Sequence, residues 1–223
     1  MNGQIEGLGN AGLNYFGSMS ASIAHEIKNA LAITNENAGL MEDLSLMAIK
    51  SGQPLDPERI SRLSGKIMDQ IKRADSIVKK MSRFAHSVDD PVKQIDLAEI
   101  LELTLDLGRR SAQAYGVTLE PVKCDVPVSV QTNPFMFMNL LWLVVKSACK
   151  RVNSDKKLEL ALSKDQQVVK ITIINLESLD QAKQTQQKDE ASIRQEEEIV
   201  NIASFLNITV DMAQDKKIIF TLP

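Results

Sequence analysis

Apolar residues recur along the first part of the chain at Met19, Ile23, Ile27, Ala30 and Leu31, then at Ala38 and Met41. Steps of three and four residues gather them into one stripe of a helix. The pattern predicts a helix of about 40 residues that ends at Lys50. The glycine-bearing start, with Gly3, Gly7, Gly9 and Gly12, predicts frayed chain up to about residue 12. Ser51-Gly52-Gln53-Pro54 breaks the helix. Asp56, Pro57 and Glu58 then start a second one, as N-cap, first-turn proline and first-turn acid. Its apolar positions are Ile60, Leu63, Ile67, Ile71, Ala74, Val78, Met81 and Ala85, a near-heptad seam. Two long helices joined by a short turn form an antiparallel hairpin. A lone hairpin leaves apolar surface in water, and pairing two copies into a four-helix bundle covers it. The expected homodimer is held by residues 13 to 88.

Asp89-Asp90-Pro91 ends the second helix and predicts a domain boundary there, giving domains at 1–90 and 91–223. Beyond it, helices and strands alternate. Val92 to Ile95 reads as a strand, and Asp96 caps a helix from Leu97 to Tyr115 with Gly116 behind it. Val117–Glu120 and Val126–Val130 read as strands. Asn133-Pro134 caps a strongly apolar helix, Phe135 to Val152. Leu158–Leu162 and Val168–Ile174 alternate at period two and suggest a hairpin. Asp180 to Glu190 is polar and reads as a loop, Ala191 to Phe205 as a helix, and Ile208–Met212 and Lys217–Leu222 as strands. The expected fold class is α+β: a helical hairpin, then an α/β sandwich of helices on a mixed sheet.

A chain of 223 residues, 43% of them hydrophobic, buries a sizeable core. Its net charge of −3 offers no basic footprint for nucleic acid. No apolar run approaches the roughly 20 residues of a membrane-spanning helix. The opening residues lack the basic and apolar regions of a secretory leader. Cys124 and Cys149 have no metal-type spacing, which fits two reduced cysteines in a cytoplasmic protein.

Chemistry enters on the polar side of the first helix. His25 lies two residues from both Ile23 and Ile27, about 200° round the helix from each at ~100° per residue. It therefore points away from the stripe. Ser18, Ser22, His25 and Asn29 share that face at steps of 4, 3 and 4. A wet imidazole titrates near about 6.5, so it is largely neutral and nucleophilic at pH 7. Glu26 is placed to act as base or orienter, and Asn29 to hold a water or an oxygen. Lys66, Lys72, Arg73, Lys79, Lys80 and Arg83 on the second helix read as a solvated face that also suits an acidic partner. The other histidine, His86, sits at a helix end and reads as a dipole cap.

The run His25-Glu26-Ile27-Lys28-Asn29-Ala30-Leu31 resembles the phosphoacceptor box of sensor histidine kinases, with Ala30 where that family has proline. Without the proline the helix should be straighter after His25. The resemblance extends along the chain order and implies a dimerisation hairpin followed by an ATP-binding-like domain. The family's asparagine box, which holds magnesium, falls here on Leu143-Val144-Val145-Lys146-Ser147-Ala148, and both asparagines are replaced. One hydroxyl at Ser147 is a weak substitute for magnesium's oxygen ligands. The family's Asp-x-Gly-x-Gly motif falls on Ile174-Asn175-Leu176-Glu177-Ser178. No glycine occurs between Leu176 and Pro223, so the second glycine loop is missing too.

The resemblance thus implies a two-component phosphorelay protein that exchanges a phosphoryl group between His25 and receiver-domain aspartates without ATP. Its catalytic residues would be His25, Glu26 and Asn29, with Ser22 and Lys28 meeting the partner. No cofactor is expected on this chain, and Mg²⁺ is expected on the receiver. Two other readings fit the residues. Glu26-x-x-Asn29 resembles a pattern linked to phosphatase activity on phosphorylated response regulators. A non-catalytic, pseudokinase-like binding module that docks receivers or heterodimerises with true kinases is the other.

Overall fold

The computed structural model describes residues 2–124, 127–166, 168–178 and 190–222. The chain forms two compact units: Ser20–Ala85, and Met1–Met19 together with His86–Pro223. The division therefore falls at Ala85 rather than at residue 90, and the start of the first helix groups with the second half.

The first unit is the hairpin. Helix α1 runs from Asn2 to Ser51, and α2 from Pro57 to Ala85. The start is helical rather than frayed. Ala11, Tyr15 and Met19 are buried, and the Tyr15 ring lies 5.6 Å from that of Phe135, so tertiary packing overrides the glycines. The turn is built as its residues dictate. Gly52 adopts a positive φ of 68° and donates to the Ala48 carbonyl at 2.9 Å. Asp56 Oδ1 accepts from the Glu58 and Arg59 amides at 3.0 and 3.3 Å.

The seam differs from the expected one. On α2, Leu63, Ile77 and Phe84 are buried, with Ile67, Gln70, Ala74 and Met81 half-buried between them. Ile71 and Val78 are 50% and 53% exposed, outside the seam. On α1, Ile23, Ala30 and Asn37 are buried at steps of seven, while Leu31 and Ala38 are exposed. Steps of 4 and 3 admit two stripes on α2, 63-67-70-74-77-81-84 and 64-68-71-75-78, and apolarity alone mixed them. Asn37 is admitted because its amide donates to the Ile33 carbonyl at 2.7 Å.

The second unit is an α/β sandwich. Strand β1 (Lys93–Asp96) leads into α3 (Leu97–Gln113), whose N-cap Asp96 accepts from the Glu99 amide. Gly116 stands at φ 69° behind that helix. Short strands β2 (Thr118–Leu119), β3 (Lys123–Cys124) and β4 (Ser129–Thr132) follow. The strand expected at Val126–Val130 begins outside the described residues, and β4 starts three residues and ends two residues further on. Asn133 caps α4 (Pro134–Cys149) by accepting from the Met136 amide at 2.8 Å. Strands β5 (Lys157–Asp165) and β6 (Val168–Ile174) form the expected hairpin. The loop expected over Asp180–Glu190 lies outside the described residues, apart from Glu190, which opens α5 (Glu190–Phe205). Strands β7 (Thr209–Asp211) and β8 (Ile218–Leu222) close the chain.

The main sheet runs β2-β5-β6-β8-β7, with β3 also pairing β5. β2 and β3 are parallel to β5 and the remaining pairs are antiparallel, so the sheet is mixed. β1 and β4 form a separate antiparallel ladder. The core lies between the sheet and α3 and α4, where Leu101, Leu105, Phe137, Leu140, Leu141, Leu160 and Phe220 are fully buried. Gly108 on α3 admits the Trp142 ring, since a Cβ there would stand 2.3 Å from it. Among the described residues no helix is long and apolar enough to cross a membrane.

Candidate functional site

Ser22, His25, Glu26, Lys28 and Asn29 all fall in the hairpin unit, and Ser18 lies just before it. Ile23 and Ala30 fix the helix's rotation by facing the seam, which leaves His25, Lys28 and Asn29 exposed and Ser22 and Glu26 half-buried. The backbone is continuous helix through Ala30, as expected without a proline there. Among the described residues, the side chains of His25, Glu26, Lys28 and Asn29 make no hydrogen bond or ion pair. Ser22 Oγ is buried without a partner one turn before His25. The helix thus offers an imidazole, a carboxylate, an amide and an ammonium, none tied up in holding the fold.

His86 contrasts with this. It opens a short 3₁₀ turn, His86–Val88, and its Nδ1 lies 2.7 Å from Asp89 Oδ2. Sequence spacing pointed to a helix-dipole cap and missed this aspartate, three residues on. An imidazole engaged by a carboxylate on its own turn is held in place, whereas His25 is open to a partner.

The basic residues of α2 are not uniformly available. Lys79 is paired with Asp75 at 2.7 Å. Lys66, Lys72 and Arg73 are exposed. Lys80 is half-buried.

In the second unit, Leu143 and Ser147 are half-buried on α4. The Leu143 carbonyl accepts from Gln195 Nε2 of α5 at 2.6 Å, and Lys150 Nζ reaches Ser192 Oγ at 3.3 Å. Helix α5 is therefore tied across the C-terminal half of α4. That contact was not legible in sequence, because it joins polar residues far apart in the chain. Asn175 adopts a positive φ of 68°, and its amide donates to Glu159 Oε1 at 3.0 Å. Lys123 also binds Glu159, and these two contacts hold the Glu159 carboxyl below the usual range, Lys123 first. These groups satisfy one another at the edge of the sheet. Among the described residues no cluster of His, Cys, Asp and Glu is arranged to hold a metal.

No family model matches the chain, and no curated protein matches it. Solved structures do. The Acinetobacter baumannii histidine kinase AdeS is 14% identical, over 88% of this chain and 95% of its own, with a TM-score of 0.45. A histidine kinase from Burkholderia phymatum STM815 is 16% identical over 87% and 97%, with a TM-score of 0.42. The cytoplasmic segment of histidine kinase QseC is 12% identical over 69% and 94%, with a TM-score of 0.43. The chain is similar to these histidine kinases.

Proposed function

We propose that this chain is a histidine phosphotransfer protein of a two-component phosphorelay. The observation that carries the reading is an exposed, unengaged His25 in a His-Glu-x-x-Asn run on a long hairpin. A ring-nitrogen lone pair of His25 attacks the phosphorus of a receiver's aspartyl phosphate in line. The N–P bond forms as the aspartyl P–O bond breaks, and the aspartate leaves as a carboxylate. Glu26 takes up or stabilises the ring's remaining proton. Lys28 and the exposed α2 cations meet the receiver's acidic face, whereas Ser22, expected to share that contact, has its hydroxyl buried; the receiver brings its own Mg²⁺. Transfer onward to another receiver reverses these steps.

ATP plays no part. The asparagine positions are Leu143 and Ser147, and α5 is tied to the Leu143 carbonyl and to Lys150. Calorimetry with Mg-ATP at millimolar concentration should show no binding; saturable heat together with phosphorylation of His25 would overturn this. The protein works as a cytoplasmic homodimer. In support, Leu40 and Met47 on α1 and Ile71 and Val78 on α2 are 41%, 66%, 50% and 53% exposed in the single chain. Such an apolar surface calls for a second hairpin.

A phosphatase reading has one observation in its favour. Asn29 is exposed one turn from His25, free to hold a water in line with a receiver's phosphorus. Variants separate the two. His25→Ala should accept no phosphoryl group from phosphorylated receivers, and His86→Ala should match the wild type. Asn29→Ala should keep His25 labelling and lower any release of inorganic phosphate. Full phosphate release by His25→Ala, with no label ever on wild-type His25, would establish the phosphatase instead.

A further inference from the structure

At the end of the main sheet away from Asn175, the second unit holds a cavity of about 310 Å³. It sits where an apolar pattern is interrupted. The buried face of β5 carries Leu158, Leu160 and Leu162, and the next place in that alternation is Lys164. Register agrees with this placement. Lys164 lies opposite Val169 on β6, and Val169 opposite Leu222 on β8, so the three share one face of the sheet. Val169 and Leu222 are buried, whereas Lys164 is exposed, and the cavity opens beside it. A lysine where the pattern calls for an apolar residue breaks local consistency, and such breaks gather at functional sites.

The two walls of the cavity differ. Val169, Leu222 and Ile208, all buried, make an apolar wall. Strand β4 makes the other, with Ser129, Gln131 and Thr132. The Leu97 amide donates to the Val128 carbonyl at 2.9 Å, which continues the β1–β4 register by one pair. Antiparallel pairs alternate, so Val130 and Thr132 bond to β1, and the amides of Ser129 and Gln131 lie on the opposite edge. Among the described residues no strand pairs that edge. The side chains of Lys164, Ser129, Gln131 and Thr132 make no hydrogen bond or ion pair among the described residues. No acidic side chain lines the cavity among them either.

We propose that this cavity binds a small organic carboxylate with a compact apolar body. The carboxylate meets the Lys164 ammonium and the unengaged donors of β4, and the body rests on Val169, Ile208 and Leu222. The volume stands at the small end of ligand sites, which sets the ligand at about ten non-hydrogen atoms or fewer. The site is separate from the histidine of the hairpin and does not depend on the phosphotransfer reading.

Calorimetry on the full chain with isovalerate, hexanoate and phenylacetate tests it. At least one should bind saturably with a Kd of about 1 mM, ordinary for so few atoms, and its neutral amide should bind at least tenfold more weakly. Lys164→Gln alters an exposed side chain, so circular dichroism should be unchanged while the Kd rises at least tenfold. Lys164→Arg keeps the charge and should retain binding. No saturable heat from any of the three acids, equal binding of acid and amide, or unchanged affinity in Lys164→Gln would each overturn the proposal.

Discussion

His25 and His86 are both exposed histidines near helical backbone, yet their surroundings suit opposite tasks. His86 is held by Asp89 at 2.7 Å, and His25 makes no contact that would have to break before it reacts. The exposure of His25 was legible in sequence, because Ile23 and Ile27 set the helix's rotation. The His86–Asp89 pair was not, because it depends on a 3₁₀ turn that helical periodicity does not describe. The cysteines offer a check at the same scale. Cys149 is buried on α4, and burial pushes its thiol up to about 12, while Cys124 is half-buried. The thiolate is the reactive form, and it gains population only as pH approaches the pKa from below. At pH 8 the native protein should lose one thiol to iodoacetamide, at Cys124, and Cys149 should react only on unfolding. Equal alkylation of both, read by mass spectrometry, would contradict the packing of α4.

The helices and strands were legible wherever the chain marks their ends with side chains. Asp56, Asp96 and Asn133 cap helices as their positions implied, and Gly52 and Gly116 end them at positive φ. The start of α1 was not legible. Its glycines argue against helix, and what overrides them is Tyr15 against Phe135, a contact far apart in sequence. The seam of α2 was misplaced for another reason. Leu63, Ile77 and Phe84 face inward, and Ile71 and Val78 belong to a second apolar stripe that hydrophobicity alone does not separate from the first. That stripe has a consequence. Ile71→Glu should leave the single chain folded, because the residue is half exposed, but in a dimer it would bury an unpaired charge at a cost of several kcal/mol. Light scattering should show a dimeric wild type and a monomeric, helical Ile71→Glu. A dimeric variant would place the interface elsewhere.

Taken whole, the molecule joins a hairpin that leaves His25 exposed to an α/β sandwich with a layered core. The sandwich was legible through its strand alternation and capped helices. The tie between α5 and α4, through Gln195 and Ser192, was not, since it links polar side chains that carry no pattern. A phosphoryl group held on a ring nitrogen is the state in which this arrangement must be found if it shuttles phosphate. The deciding measurement is to mix the protein, without ATP, with a receiver carrying labelled aspartyl phosphate, quench at intervals, and locate the label by gel and mass spectrometry. An acid-labile phosphoryl group should form on His25 as the receiver's label falls and then move to a second receiver when one is added. Label that passes from receiver to inorganic phosphate without residing on His25, or that never leaves the receiver, would contradict it.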